Sequence, residues 1–203
     1  MHAIIRLATA ALVLGVLTAA QAAAQSVPPP ASAPPPRALP PSESRFSSSE
    51  LVGTGHRFFG TVSRGLAQVV EQAISQWGLP NGYILGEEAG GAFIAGLRYG
   101  EGTLYTKNAG DLRVYWQGPS IGFDAGGEGA RTMMLVYNLP STRSIYERFG
   151  GIDGSAYFIG GFGMTALTAR NIVLVPIRSG VGLRLGANIG YLKFTPSPTW
   201  NPL

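Results

Sequence analysis

The chain has no cysteine, so its fold must hold without disulfides, and an acyl anchor on a leading cysteine is excluded. Histidine is almost as scarce: His2 and His56 are the two present. With His2 in the leader described below, Ser–His–Asp catalysis and imidazole metal sites would both depend on His56 alone. That residue sits on a glycine-rich helix turn and reads as a partly exposed bystander. Charged residues make up 13% of the 203 positions, well below ordinary usage. A long hydrophobic run is also missing. The apolar stretch from Leu7 to about Leu17 is shorter than the roughly 20 residues a spanning helix needs, and no stop-transfer flank follows it.

What is present is glycine, at 29 positions, in a chain that is 45% hydrophobic. Glycine at this density, without a collagen period and spread between apolar alternations, suits a β protein with tight turns and closely packed backbones. Residues 1–24 read as a secretory signal peptide: Arg6 supplies the basic start, Leu7 to Leu17 the apolar segment, and Ala20-Gln21-Ala22 or Ala22-Ala23-Ala24 the cleavage site. Residues 25–46 read as a Pro/Ser-rich linker, with SVPPPASAPPPRALPP as an extended tether. A single domain is expected over 47–203, in the periplasm. Without Arg6 the chain keeps 14 Lys and Arg against 11 acids, about +3, with no basic cluster. This disfavours nucleic acid as a partner and leaves only a mild preference for anionic surfaces.

Ser47-Ser48-Ser49-Glu50 has the spacing of a capping box. Phe58, Phe59, Val62, Leu66, Val69, Val70, Ala73, Ile74 and Trp77 then recur at helical spacing up to Gly78, with Pro80 as a stop. One amphipathic helix over 47–77 is expected. Gly53, Gly55, Gly60 and Gly65 weaken its first half, which therefore breaks or packs closely on something. Strands follow: Tyr83 to Glu88, Ala92 to Tyr99, Thr103 to Thr106, Leu112 to Trp116 and Thr132 to Leu139, with a hairpin turn at Asn108 to Asp111. Pro119 suggests that Trp116 to Ser120 leaves its sheet at a bend. Ser141 is expected to cap a short helix carrying Ile145, Tyr146 and Phe149. Ser155 to Leu167 and Ile172 to Arg178 read as a hairpin, and Val173 to Tyr191 as a last strand with one face mostly glycine. The pattern predicts a mainly β (α+β) fold: a small antiparallel β-barrel of eight to ten strands, with one amphipathic N-terminal helix packed on it.

The chemistry is sparse, and no catalytic, metal or cofactor motif stands out. Arg98, Arg178 and Arg184 lie on strand faces rich in glycine. At least one is expected to be buried and paired with Glu87, Glu88 or Asp124, since a buried guanidinium needs a partner. Glu87 and Glu88 are adjacent and point to opposite faces, so they are no pair with each other. Glu87, Glu88, Glu101, Asp124, Glu128 and Asp153 are the acids from which a glycan-cleaving pair would be drawn. Asp124 to Gly129 lacks both EF-hand spacing and the Lys-Ser/Thr of a phosphate loop. On the helix, Phe58 and Phe59 lie beside Arg57 and Arg64, an arrangement that puts rings at an acyl boundary and cations at phosphates.

Phe58-Phe59-Gly60, Pro80-Asn81-Gly82-Tyr83, Gly96 to Gly102, Trp116-Gln117-Gly118-Pro119-Ser120, Pro176 to Gly180 and Thr199-Trp200-Asn201-Pro202 together resemble the EipA envelope-integrity family. The resemblance spans about Ser47 to Leu203, with Leu203 in place of an expected terminal aromatic. It implies a small periplasmic β-barrel in Gram-negative bacteria, a role in envelope maintenance, and no known reaction. The Gly100 to Thr103 and Trp116 to Ser120 segments are also similar to SYLF-type lipid-binding domains. The expected function is therefore non-enzymatic binding of a lipid or envelope partner. The alternative is a periplasmic glycan-processing enzyme using a carboxylate pair.

Overall fold

The structure is a computed structural model that describes residues 44–90, 97–119, 130–179 and 190–199. The expected signal peptide, most of the linker, Asp124, Glu128, Arg184, Trp200 and the glycine-rich face of 180–189 lie outside the described residues.

Two helices precede the strands. The capping box forms as its spacing requires: the Glu50 backbone N–H donates to Ser47 Oγ at 3.3 Å, and the Ser47 backbone N–H donates to Glu50 Oε2 at 2.7 Å. Helix α1 then runs Ser48–Phe59 and α2 runs Arg64–Trp77. The single helix expected over 47–77 is thus two. Gly60 ends α1 in the left-handed region at φ 73°, and the Ser63 side chain accepts from the Gly65 N–H to start α2. His56 fastens the break, its Nε2 lying 3.3 Å from the Ser63 N–H. The glycines also let the two helices and their neighbours meet. A Cβ on Gly65 would lie 2.3 Å from the Gly160 carbonyl oxygen.

The strands are β1 (Gly82–Gly90), β2 (Leu97–Tyr105), β3 (Leu112–Pro119), β4 (Ala130–Tyr137), β5 (Arg148–Gly151), β6 (Tyr157–Ile159), β7 (Phe162–Met164), β8 (Leu167–Ala169), β9 (Ile172–Ser179) and β10 (Tyr191–Thr195). All pairings are antiparallel. The order β1-β2-β3-β10-β5-β8-β9-β4 closes back on β1, giving an eight-stranded barrel, and β7 and β6 extend from β9 beyond it.

Several local readings change. β3 does not leave the sheet at Trp116: Gln117, Gly118 and Pro119 still pair with Tyr99, Arg98 and Leu97. Pro119 is the last described residue of β3. The segment after Ser141 forms only a 3₁₀ turn, Thr142–Ile145, and Phe149 belongs to β5, which inserts between β10 and β8. Ser155 to Leu167 is broken by Gly160 and Gly161, both at positive φ, into β6 and β7. Ile172–Ser179 and Tyr191–Thr195 are separate strands with different neighbours.

The run Thr132 to Tyr137 is buried at every position because β4 is covered on both faces. Inward, Met134 and Val136 join Ile84, Leu104, Val114, Leu174, Leu192 and Phe194 in the barrel core. Outward, Met133, Leu135 and Tyr137 meet Leu51, Leu66, Val69, Val70 and Ala73 of the helices. The helices therefore shield the β4–β9 side of the wall, as the amphipathic pattern predicts.

Candidate functional site

Strand alternation places Gly86 and Glu88 of β1, Arg98, Gly100 and Gly102 of β2, Trp116 of β3 and Arg178 of β9 at one end of the barrel. The register explains how they meet. Glu88 is opposite Gly100, and Gly100 is opposite Trp116, so the middle strand of this row has no side chain. The Trp116 indole fills that space: a Cβ on Gly100 would fall 2.2 Å from its Cε2. Lying across Gly100, it donates from Nε1 to Glu88 Oε1 at 2.8 Å. From the other side, Arg178 reaches over β4 and donates to Glu88 twice, Nε to Oε2 at 2.7 Å and Nη2 to Oε1 at 3.0 Å.

Glu88 is only 6% exposed. Burial alone would raise its pKa. The Arg178 charge and hydrogen bonds, the Arg98 charge and the Trp116 donor outweigh burial and hold it at about 2. Arg98 is 8% exposed, and its Nε has no acceptor. Burial, and then the like charge of Arg178, lower its pKa to about 10, so it stays protonated at neutral pH. Among the described residues, the end of the barrel thus encloses two guanidinium groups and one carboxylate.

A second feature lies on the outer face of β1 to β3. Glu87 is directly opposite Glu101, and both line a groove of about 310 Å³ with Tyr99, Tyr115, Gln117 and Thr195. Arg113 Nη2 lies 2.9 Å from Glu101 Oε2. Gln117 is 1% exposed with neither amide atom paired.

The third is the elbow between α1 and α2. Arg57 and Arg64 are exposed there, while Phe58 and Phe59 are half-buried. The Phe59 ring meets Phe162 edge-on at 5.2 Å, and Arg131 donates to the Phe58 carbonyl at 2.8 Å. Val62, at the tip, is 87% exposed. The structure thus brings Trp116, Arg98 and Arg178 together at one barrel end, groups Arg57, Phe58, Phe59 and Arg64 elsewhere, and sets Pro119 at the end of β3. Glu88 was one of several acids open to the arginines. The alternation Gly86-Glu87-Glu88 against Gly100-Glu101-Gly102 contains the signal for both the Glu88 site and the Glu87–Glu101 pair, but only a register reveals it. Among the described residues, no cluster of three His, Asp or Glu forms a metal site, and no helix is long and apolar enough to cross a membrane.

Comparison with known proteins agrees with this geometry. A crystal structure of a β-barrel-like, uncharacterised protein from Brucella abortus superposes with a TM-score of 0.74 at 61% identity, covering 78% of this chain and 99% of that one. The curated proteins contain no match. The SYLF-type likeness has no counterpart among these matches. The model of the EipA family, described as envelope integrity protein A, matches residues 44–203. An eight-stranded barrel with two helices on its wall, a homologous barrel at this identity and a family match over most of the chain lead to one conclusion: the chain belongs to the EipA envelope-integrity family.

Proposed function

We propose that the chain supports the envelope by binding rather than by catalysis, and that it rests peripherally on an anionic membrane surface through the α1–α2 elbow. The observation behind this is the exposure of Val62 at the tip of the turn, between the exposed cations Arg57 and Arg64. An apolar tip flanked by cations suits the headgroup boundary, where the apolar residue enters and the cations meet phosphates. The Phe58 and Phe59 rings stand behind the tip, partly held by the barrel. In this reading residues 1–24 export the chain, 25–46 form a tether, and the barrel works in the periplasm.

Co-sedimentation with anionic vesicles at low salt tests it. Wild-type protein is expected to bind, and to be released as salt screens the cations. R57Q/R64Q and V62S should each weaken binding without moving the melting temperature, because exposed groups contribute little to stability. Failure of the wild-type chain to bind such vesicles overturns the reading.

The glycan-processing alternative has one observation of its own. Glu87 and Glu101 face each other in a groove walled by Tyr99 and Tyr115. Against it, Glu101 Oε2 is engaged by Arg113 Nη2 at 2.9 Å rather than left free for a substrate. Release of soluble fragments from purified cell wall, abolished in E87Q and E101Q, would establish it over the binding reading.

A further inference from the structure

Among the described residues, Arg98 at the end of the barrel has no carboxylate partner of its own. Glu88 Oε1 already accepts from Trp116 and Arg178 Nη2, and its Oε2 accepts from Arg178 Nε. No carboxylate oxygen among the described residues comes within 4.0 Å of Arg98. The residues opposite Arg98 on its two neighbouring strands are Gly90 and Gly118, so neither supplies a side chain to pair with it. Its Nε is buried without an acceptor, and the residue is 8% exposed.

Folded proteins do not ordinarily leave a buried cation unpaired, because losing water around a charge is costly unless another charge or several hydrogen bonds replace it. A guanidinium presents a planar fork of donors that matches the paired oxygens of a carboxylate or phosphate. We propose that Arg98, with Arg178 beside it, forms an oxyanion-binding site at this end of the barrel, taking a phosphate or carboxylate group of an envelope molecule. Arg98 supplies the fork, and Arg178 adds a second positive charge while held in place by Glu88. Glu88 sets the polarity of the site: among the described residues its carboxylate stands as one acid against two guanidinium groups. The site is distinct from the elbow and does not depend on the membrane reading.

Thermal unfolding of the full chain in a chloride buffer, titrated with inorganic phosphate and separately with acetate, tests the proposal. At least one should raise the melting temperature saturably where chloride at equal ionic strength does not. R98M should abolish that rise. Phosphatidic acid vesicles, added to the R57Q/R64Q chain to silence the elbow, separate the two sources of phosphate. A response through Arg98 to vesicles alone assigns a lipid headgroup, and a response to free phosphate assigns a soluble group. The proposal fails if no oxyanion or vesicle gives a saturable rise, or if the rise survives in R98M. R98K, which keeps the charge that faces Glu88 but not the planar fork, covers a failure of R98M to fold: it should weaken the rise, and an unweakened rise also overturns the proposal.

Discussion

Replacing Gly100 by Ala adds one methyl group, yet it should be among the most damaging small changes available to this barrel. The new Cβ would lie 2.2 Å from Trp116 Cε2, 2.3 Å from its Nε1 and 2.5 Å from its Cζ2. The whole indole must therefore move, and it is fully buried against Phe194 at a centroid distance of 5.7 Å. Overpacking of this kind costs about 1–3 kcal/mol. Moving the ring also breaks its hydrogen bond to the Glu88 carboxylate, and a bond to a charged group contributes about 1.5–3 kcal/mol. Against this, Ala is favoured over Gly within a strand by about 0.5–1 kcal/mol. The net is a loss of about 3 kcal/mol, or roughly 6–12 °C in melting temperature for a domain of this size. Urea unfolding monitored by near-UV circular dichroism measures it. Gly150→Ala is the control, because nothing lies within 4 Å of its added Cβ, and it should be neutral or slightly stabilising. In a Trp116→Leu background most of the Gly100→Ala penalty should vanish, as expected of two residues in contact. A Gly100→Ala protein as stable as wild type, or an undiminished penalty beside Leu, would refute the account of how the row is packed.

Acid should weaken the fold through Glu88. Its carboxyl is at about 2 in the folded chain against 4.5 when unperturbed, so the stabilisation is complete above about pH 4.5 and is lost as pH falls toward 2. The difference is worth roughly 3 kcal/mol. Urea titrations across that window should show the loss in wild type, and E88Q should show a flatter profile with the deficit already present at pH 7. Gly65→Ala should detach α2 from the β6–β7 hairpin, because the added Cβ meets the Gly160 carbonyl backbone, which cannot swing aside as a side chain can. Despite a gain in helix propensity of about 1 kcal/mol, a net loss of about 2 kcal/mol is expected from overpacking, read as a lower melting temperature with helical circular dichroism retained.

Much of the architecture could be read from local pattern. The Ser47–Glu50 spacing marked the helix start, and the apolar runs marked β1, β3 and β4, whereas Ala92 to Tyr99 and Thr103 to Thr106, read as two strands, meet in the single strand β2 across Gly100 to Gly102. The break between the helices was harder. Four glycines warned of it, but the break depends on Gly60 taking a left-handed conformation while Ser63 caps the next turn. Strand order was not readable at all. Arg178 finds Glu88 only because β9, β4 and β1 are neighbours, a fact set by closure of the barrel over 90 residues of sequence. For the same reason, alternation separated Glu87 from Glu88 without telling which faces inward. It identified Arg98 as an arginine among glycines, but not as one without a carboxylate.

The position of β10 has a consequence for the chain during synthesis. β1, β2, β3 and β4 form long uninterrupted ladders, such as Tyr83–Tyr105 through Gly90–Arg98. The other half of the wall is a patchwork in which β5 meets β8 only at Gly150–Thr168 and Gly151–Leu167. β10, the last strand in sequence, is the piece inserted between β3 and β5. A chain that emerges N-terminus first therefore holds two raw strand edges until residues 191–195 arrive, and those edges are templates for pairing with other chains. Closure is by topology the last event along the chain, and the interval before it is when pairing with another chain competes with folding.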